Sequence, residues 1–265
     1  MSKVDDPRKR ILVGAASFAD ATAALRIIAQ LPSNFCSGLG GVLVEDLDTL
    51  AVCQFPDQRV VLFSGIKTLA PSLSQVRSLL NADARAFQHS LARATDPSGT
   101  DWAFAQDKGE LVSTSLRAAK GWDILVIGYH QIHNIKGKII LMTSPSATSN
   151  EMDVVSKNLS QQFAAGCVDF SVRSDVEGAV GTLSSNEVQF DTFDESLKAL
   201  TRTNALAVLV DLARGPVRNR NDLARVLEAA RCPLVVFGAS GADLLLEHST
   251  QIPPSPARNE HKNNA

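Results

Sequence analysis

Arg214, Arg218 and Arg220 crowd into one short segment, RGPVRNR. Three guanidinium groups on a loop can grip a phosphate or a carboxylate bidentately. The competing reading is a solvated loop whose arginines pair weakly with the flanking Asp211 and Asp222. Hydroxyls are the second chemical resource. Ser17 follows Gly14-Ala15-Ala16, and Thr143-Ser144-Pro145-Ser146 follows another apolar run. Where such a loop opens a helix it can bind phosphate through backbone N–H groups and the helix dipole, or simply cap the helix. His130 and His133 have no cysteine or carboxylate at ligand spacing, so no metal site is expected. Cys36, Cys53, Cys167 and Cys232 contain no Cys-x-x-Cys pair and read as buried, reduced thiols. Gly38-Leu39-Gly40-Gly41 and Gly238-Ala239-Ser240-Gly241 lack the order that a dinucleotide site requires and read as turns. Without a Gly-x-Ser-x-Gly elbow, serine hydrolase chemistry has no local support, and no catalytic residue is assigned.

The elements that must position these groups follow from hydrophobic periodicity. From Asn204 to Ala239, two aliphatic runs, Leu206 to Val210 and Leu234 to Phe237, flank a segment in which Leu223, Val226, Leu227 and Ala230 share one helical face. Asn221 or Asp222 can cap that helix, and Pro233 stops it. Strand, helix, strand with fully apolar strands means a right-handed crossover in a parallel sheet, so the fold class is α/β with helices on both faces. The same reading gives strands at 11–14, 41–44, 102–105, 123–127, 139–142, 168–172 and 187–190. Helical stripes run through Ala23, Ile27, Ile28 and Leu31; through Leu73, Val76, Leu79 or Leu80, Ala84, Phe87 and Leu91; and through Met152, Val155, Leu159 and Phe163. Further helices are expected over Glu110 to Lys120, closed by Gly121, and over Asp194 to Arg202, with a last turn at Asp243 to Glu247.

Length and charge bound the function. With 265 residues the chain can build a large core. Its 26 basic and 28 acidic residues, net charge −2, advertise neither nucleic acid nor an anionic membrane. No run approaches the roughly 18 apolar residues of a membrane span. No signal peptide is read at the N-terminus, and a cytoplasmic location is expected.

The run Val226 to Val236, VLEAARCPLVV, resembles the closing helix and last strand of the universal stress protein family. A second resemblance lies in Val44-Glu45-Asp46, Leu50, Phe55-Pro56 and Ser64-Gly65. The family implies Rossmann-like units of the adenine nucleotide alpha hydrolase type. Members usually bind ATP through an Asp after the first strand and a loop of Gly-x-x-Gly, a spacer of about nine residues, then Gly with Ser or Thr. Here Ala15 stands in place of the acid, leaving a hydroxyl at Ser17. Gly215 is the glycine available to the loop, and Arg220 and Asn221 stand where its final Gly-Ser pair would be. The resemblance therefore implies nucleotide-contacting positions at Ser17, Arg214, Gly215, Arg220 and Asn221 in a motif that has degenerated.

Two eroded units are expected: 10–137, truncated after its fourth strand, and 138–240, with a disordered 1–9 and a flexible tail at 241–265. The resemblance implies a non-enzymatic stress-response or regulatory protein working through a protein partner or self-association without nucleic acid or membrane. The alternative is an ATP-binding protein that uses the arginine loop in place of the glycine loop.

Overall fold

The computed structural model describes residues 8–32, 34–46, 59–61, 67–69, 72–96, 99–131, 137–144, 149–173 and 186–241. Its elements are β1 (Lys9–Ala15), α1 (Phe18–Ile28), β2 (Cys36–Glu45), β3 (Arg59–Val61), β4 (Lys67–Leu69), α2 (Leu73–Thr95), β5 (Asp101–Lys108), α3 (Leu111–Ala118) and β6 (Ile124–Ile127). There follow β7 (Lys138–Thr143), α4 (Asn150–Gln162), β8 (Cys167–Val172), β9 (Glu187–Phe190), α5 (Phe193–Arg202), β10 (Ala205–Asp211), α6 (Arg220–Ala230) and β11 (Leu234–Phe237). All nine strands expected from periodicity are present. The short antiparallel hairpin β3–β4 was not expected.

One nine-stranded sheet carries the molecule, in the order β5-β2-β1-β6-β11-β10-β7-β8-β9. Every neighbouring pair is parallel except β6 and β11, which meet antiparallel with Val126 opposite Val235 and Leu125 opposite Val236. The strands before and after residue 137 thus join edge to edge at a seam. On one face, side chains of α1, α2 and α4 cover Ile11, Val13, Leu43, Val126, Leu141 and Leu209. On the other, α3, α5 and α6 cover Leu12, Leu125, Ile140, Val208 and Val236. Alternate residues of the central strands are apolar on both sides, because both faces are covered. β8 and β9 differ: Phe170 and Phe190 pack edge to face on the α5 side, while Asp169 and Glu187 sit side by side on the opposite surface.

Several details depart from the sequence reading. Gly38, Gly40 and Gly41 lie inside β2 and are no turn. A Cβ at Gly40 would meet the Trp122 ring at 2.5 Å, and one at Gly41 would meet Leu91 at 2.6 Å, so a smooth strand surface lets large side chains close in. Gly238 does turn the chain, with φ +73°. Leu80 lies on the inward side of α2, whereas Leu79 is 64% exposed. Asn219 caps α6, its side chain accepting from the N–H of Asp222; Asn221 and Asp222, the expected caps, fall inside the first turn. The expected turn at Asp243 to Glu247 and residues Leu50, Cys53, Phe55, Pro56, Ser64 and Gly65 lie outside the described residues.

Candidate functional site

The antiparallel seam decides which predicted site residues can meet. β1 is parallel to β6, β6 antiparallel to β11, and β11 parallel to β10, so β1 and β10 run in opposite directions. Ser17, past the carboxyl end of β1, and the segment Arg214 to Asn221, past that of β10, therefore stand at opposite ends of the sheet. They do not form one site.

At the first end the loop binds itself. Ser17 is the cap of α1: its Oγ accepts from the N–H of Asp20 and donates to the Asp20 carboxylate at 2.6 Å. The other Asp20 oxygen accepts from the backbone N–H of His130 at 2.7 Å, and Asp83, reaching from α2, accepts from the N–H of Phe18 at 3.0 Å. Gly128 makes this closure possible, since a Cβ there would stand 2.3 Å from the Asp20 carbonyl.

At the other end, Gly215 is buried against β7 and β10. Its N–H donates to the Asp211 carbonyl at 2.7 Å, and a Cβ would lie 2.5 Å from that oxygen and 3.4 Å from the Met142 carbonyl. The Asp211 carboxylate, buried, accepts from the N–H of Ala213. Arg214 and Arg218 are exposed, Arg220 opens α6, and Asn221 is exposed in its first turn. The expected pairing of these arginines with Asp211 and Asp222 is absent among the described residues; Asp222 instead accepts from the backbone N–H of Arg218 at 3.0 Å. Thr143 donates its hydroxyl to the half-buried Asp169. Burial pushes the Asp169 carboxyl up, with Thr143 pulling it down and Glu187 and Asp153 adding to the rise. Ser144 is buried, while Pro145, Ser146 and His133 lie outside the described residues. Among the cysteines, Cys232 is buried and its thiol pushed up to about 12 by that burial, while Cys36 and Cys167 are half-buried, their thiols also raised by burial.

Periodicity did not point to a cleft that opens at the seam. It holds about 700 Å³ and is walled by α1 through Phe18, Ala23 and Ile27. Phe163, the C-cap of α4, stands opposite; Tyr129, His130 and Gln131 border it; Leu206 and Pro233, at the amino ends of β10 and β11, complete the lining. The chain on either side of the cleft runs close to β10. The Gln131 side chain donates to the Ala205 carbonyl at 2.7 Å, and a Cβ on Gly137 would lie 2.6 Å from the Leu206 nitrogen. Arg26 lies over the Phe163 ring at 5.5 Å.

Among the described residues no helix is long and apolar enough to cross a membrane, and no group of three or more His, Cys, Asp or Glu could hold a metal ion.

No family model and no curated protein matches the chain. Solved structures do match over most of its length. A universal stress protein from Archaeoglobus fulgidus DSM 4304 matches with a TM-score of 0.45 at 9% identity, over 87% of this chain and 96% of that one. A protein of unknown function from Pseudomonas aeruginosa PAO1 gives 0.45 and 10%, over 91% and 97%. A putative universal stress protein from Pseudomonas aeruginosa UCBPP-PA14 gives 0.46 and 12%, over 92% and 99%.

Proposed function

We propose that this chain is a universal-stress-protein-like regulatory protein that acts through contacts with a protein partner or with itself, its former nucleotide loops having become structural. The single observation that supports this reading most is the pair of carboxylates at the start of α1. A helix N-terminus attracts anions through its free N–H groups and its dipole. Here Asp83 takes the N–H of Phe18, and Ser17 and Asp20 satisfy each other. A triphosphate arriving there meets two negative charges, with the N–H groups of Phe18 and Asp20 already engaged. At the far end Asn219 takes the N–H of Asp222 in the first turn of α6, and the Asp222 carboxylate accepts from the N–H of Arg218 just before the helix.

A second reading, ATP held by the arginine loop, draws on the exposed side chains of Arg214 and Arg218, which have no ion-pair partner among the described residues. Calorimetry with ATP at low salt separates the two. Under the regulatory reading the natural chain shows no submicromolar affinity; submicromolar binding lost on combining Arg214→Ala with Arg220→Ala would establish the arginine site instead. Capture of partners from native lysate, with and without ATP, then tests the regulatory role directly: the same partners are expected in both conditions.

A further inference from the structure

We propose that the seam cleft binds a small aromatic anion, a planar ring system carrying a carboxylate or sulfonate. Its volume of about 700 Å³ lies within the roughly 300–1,000 Å³ typical of small-molecule sites. Phe18, Tyr129 and Phe163 contribute ring surface, and Ile27, Leu206 and Pro233 aliphatic surface, so an aromatic body is the occupant that the lining solvates least expensively. Charge selects the sign. Three polar side chains of the lining are already engaged by the protein: Ser17 by Asp20, Asp83 by the N–H of Phe18, and Gln131 by the Ala205 carbonyl. Arg26 is different. Exposed at the edge of the cleft, it rests on the face of Phe163 and has no hydrogen bond or ion pair among the described residues. A guanidinium held over a ring and without another partner has N–H groups to offer a bidentate acceptor. A ligand with its rings among Phe18, Tyr129 and Phe163 and its anionic group toward Arg26 satisfies both features at once. The cleft shares Ser17 and Asp83 with the start of α1, but Arg26 stands eight residues beyond Phe18, about 12 Å along the helix, so the anionic group lies away from the carboxylates at that end; the site does not depend on the regulatory reading.

The test uses 1-anilinonaphthalene-8-sulfonate as the probe, titrated into the full chain by calorimetry, with the uncharged N-phenyl-1-naphthylamine as its comparison. Saturable binding of one equivalent of the sulfonate is expected. Arg26→Gln should weaken the sulfonate by about tenfold, the scale of one charge-assisted hydrogen bond, and leave the uncharged probe unchanged. Ala23→Trp, which fills the cleft from the α1 wall, should abolish both. Circular dichroism and the urea midpoint check that each variant folds, and Thr22→Trp, at an exposed position of the same wall, takes over if Ala23→Trp does not. The proposal is overturned by no binding, by non-saturable binding at many sites, by equal sulfonate affinity in Arg26→Gln, or by retained binding in the folded tryptophan variant.

Discussion

The carboxylate of Asp83 accepts the backbone N–H of Phe18 at 3.0 Å, tying the middle of α2 to the first residue of α1 across 65 positions of sequence. The bond closes one of the free donors of α1 and places a negative charge at the positive end of its dipole. Removing it should cost about 1–2 kcal/mol, the usual range for a hydrogen bond to a charged group. Asp83→Ala is therefore expected to lower the urea midpoint with an unchanged slope, while Asp83→Asn keeps an acceptor and most of the stability. Equal midpoints for all three chains would show that α1 does not rely on this contact.

Ser115 is fully buried in α3, and its hydroxyl has no hydrogen-bond partner among the described residues. It faces Gly14 of β1, where a Cβ would stand 2.1 Å from the Ser115 Oγ. Ser115→Ala removes an unsatisfied polar atom and is expected to be neutral or stabilising by up to about 1 kcal/mol. Gly14→Ala should overpack the same contact and cost about 1–3 kcal/mol. Thermal and urea unfolding of the two variants should therefore shift in opposite directions or, for Ser115→Ala, not at all.

Asp169 carries a pH-dependent penalty. Burial raises its carboxyl above the ordinary value of 3.8 despite the Thr143 hydrogen bond. The sign is that of an acid raised by folding: the native state holds the proton more tightly, so ionisation destabilises the fold at any pH above the folded pKa. As pH falls through that value the penalty fades, and below 3.8 it is gone. Asp169→Asn keeps an acceptor for Thr143 and should be more stable than the natural chain at pH 7. The advantage should vanish in acid. A variant less stable than the natural chain at pH 7 would refute this account.

The seam register places Val126 directly opposite Val235 on the face covered by α1 and α4. Directly opposed residues on one sheet face couple by roughly 0.2–1 kcal/mol. A double-mutant cycle of Val126→Ala and Val235→Ala, read by urea unfolding, should return a coupling of that size. Strict additivity would mean that the two strands do not pair in this register in solution.

The sequence by itself determined the elements. Strands such as RILVG and LAVLV are apolar throughout, and the helix over Leu223 to Ala230 shows its stripe, because period and composition are local properties of the chain. For the same reason the loops Gly14–Ser17 and Arg214–Asn221 were legible as the places where strands end and helices begin, though Asn219, one residue before α6, takes the cap expected of Asn221 or Asp222. What only the tertiary structure decided is how β6 meets β11. No local pattern distinguishes parallel from antiparallel pairing between two short apolar strands that are more than a hundred residues apart. That one choice reverses the second set of strands, sends Ser17 and the arginine loop to opposite ends, and brings Phe18, Arg26, Tyr129, Phe163, Leu206 and Pro233 around a cleft that no short segment contains. The carboxylate of Asp83 belongs to the same class: its residue read as one position on a helix, and only packing of α2 against α1 turned it into the partner of Phe18.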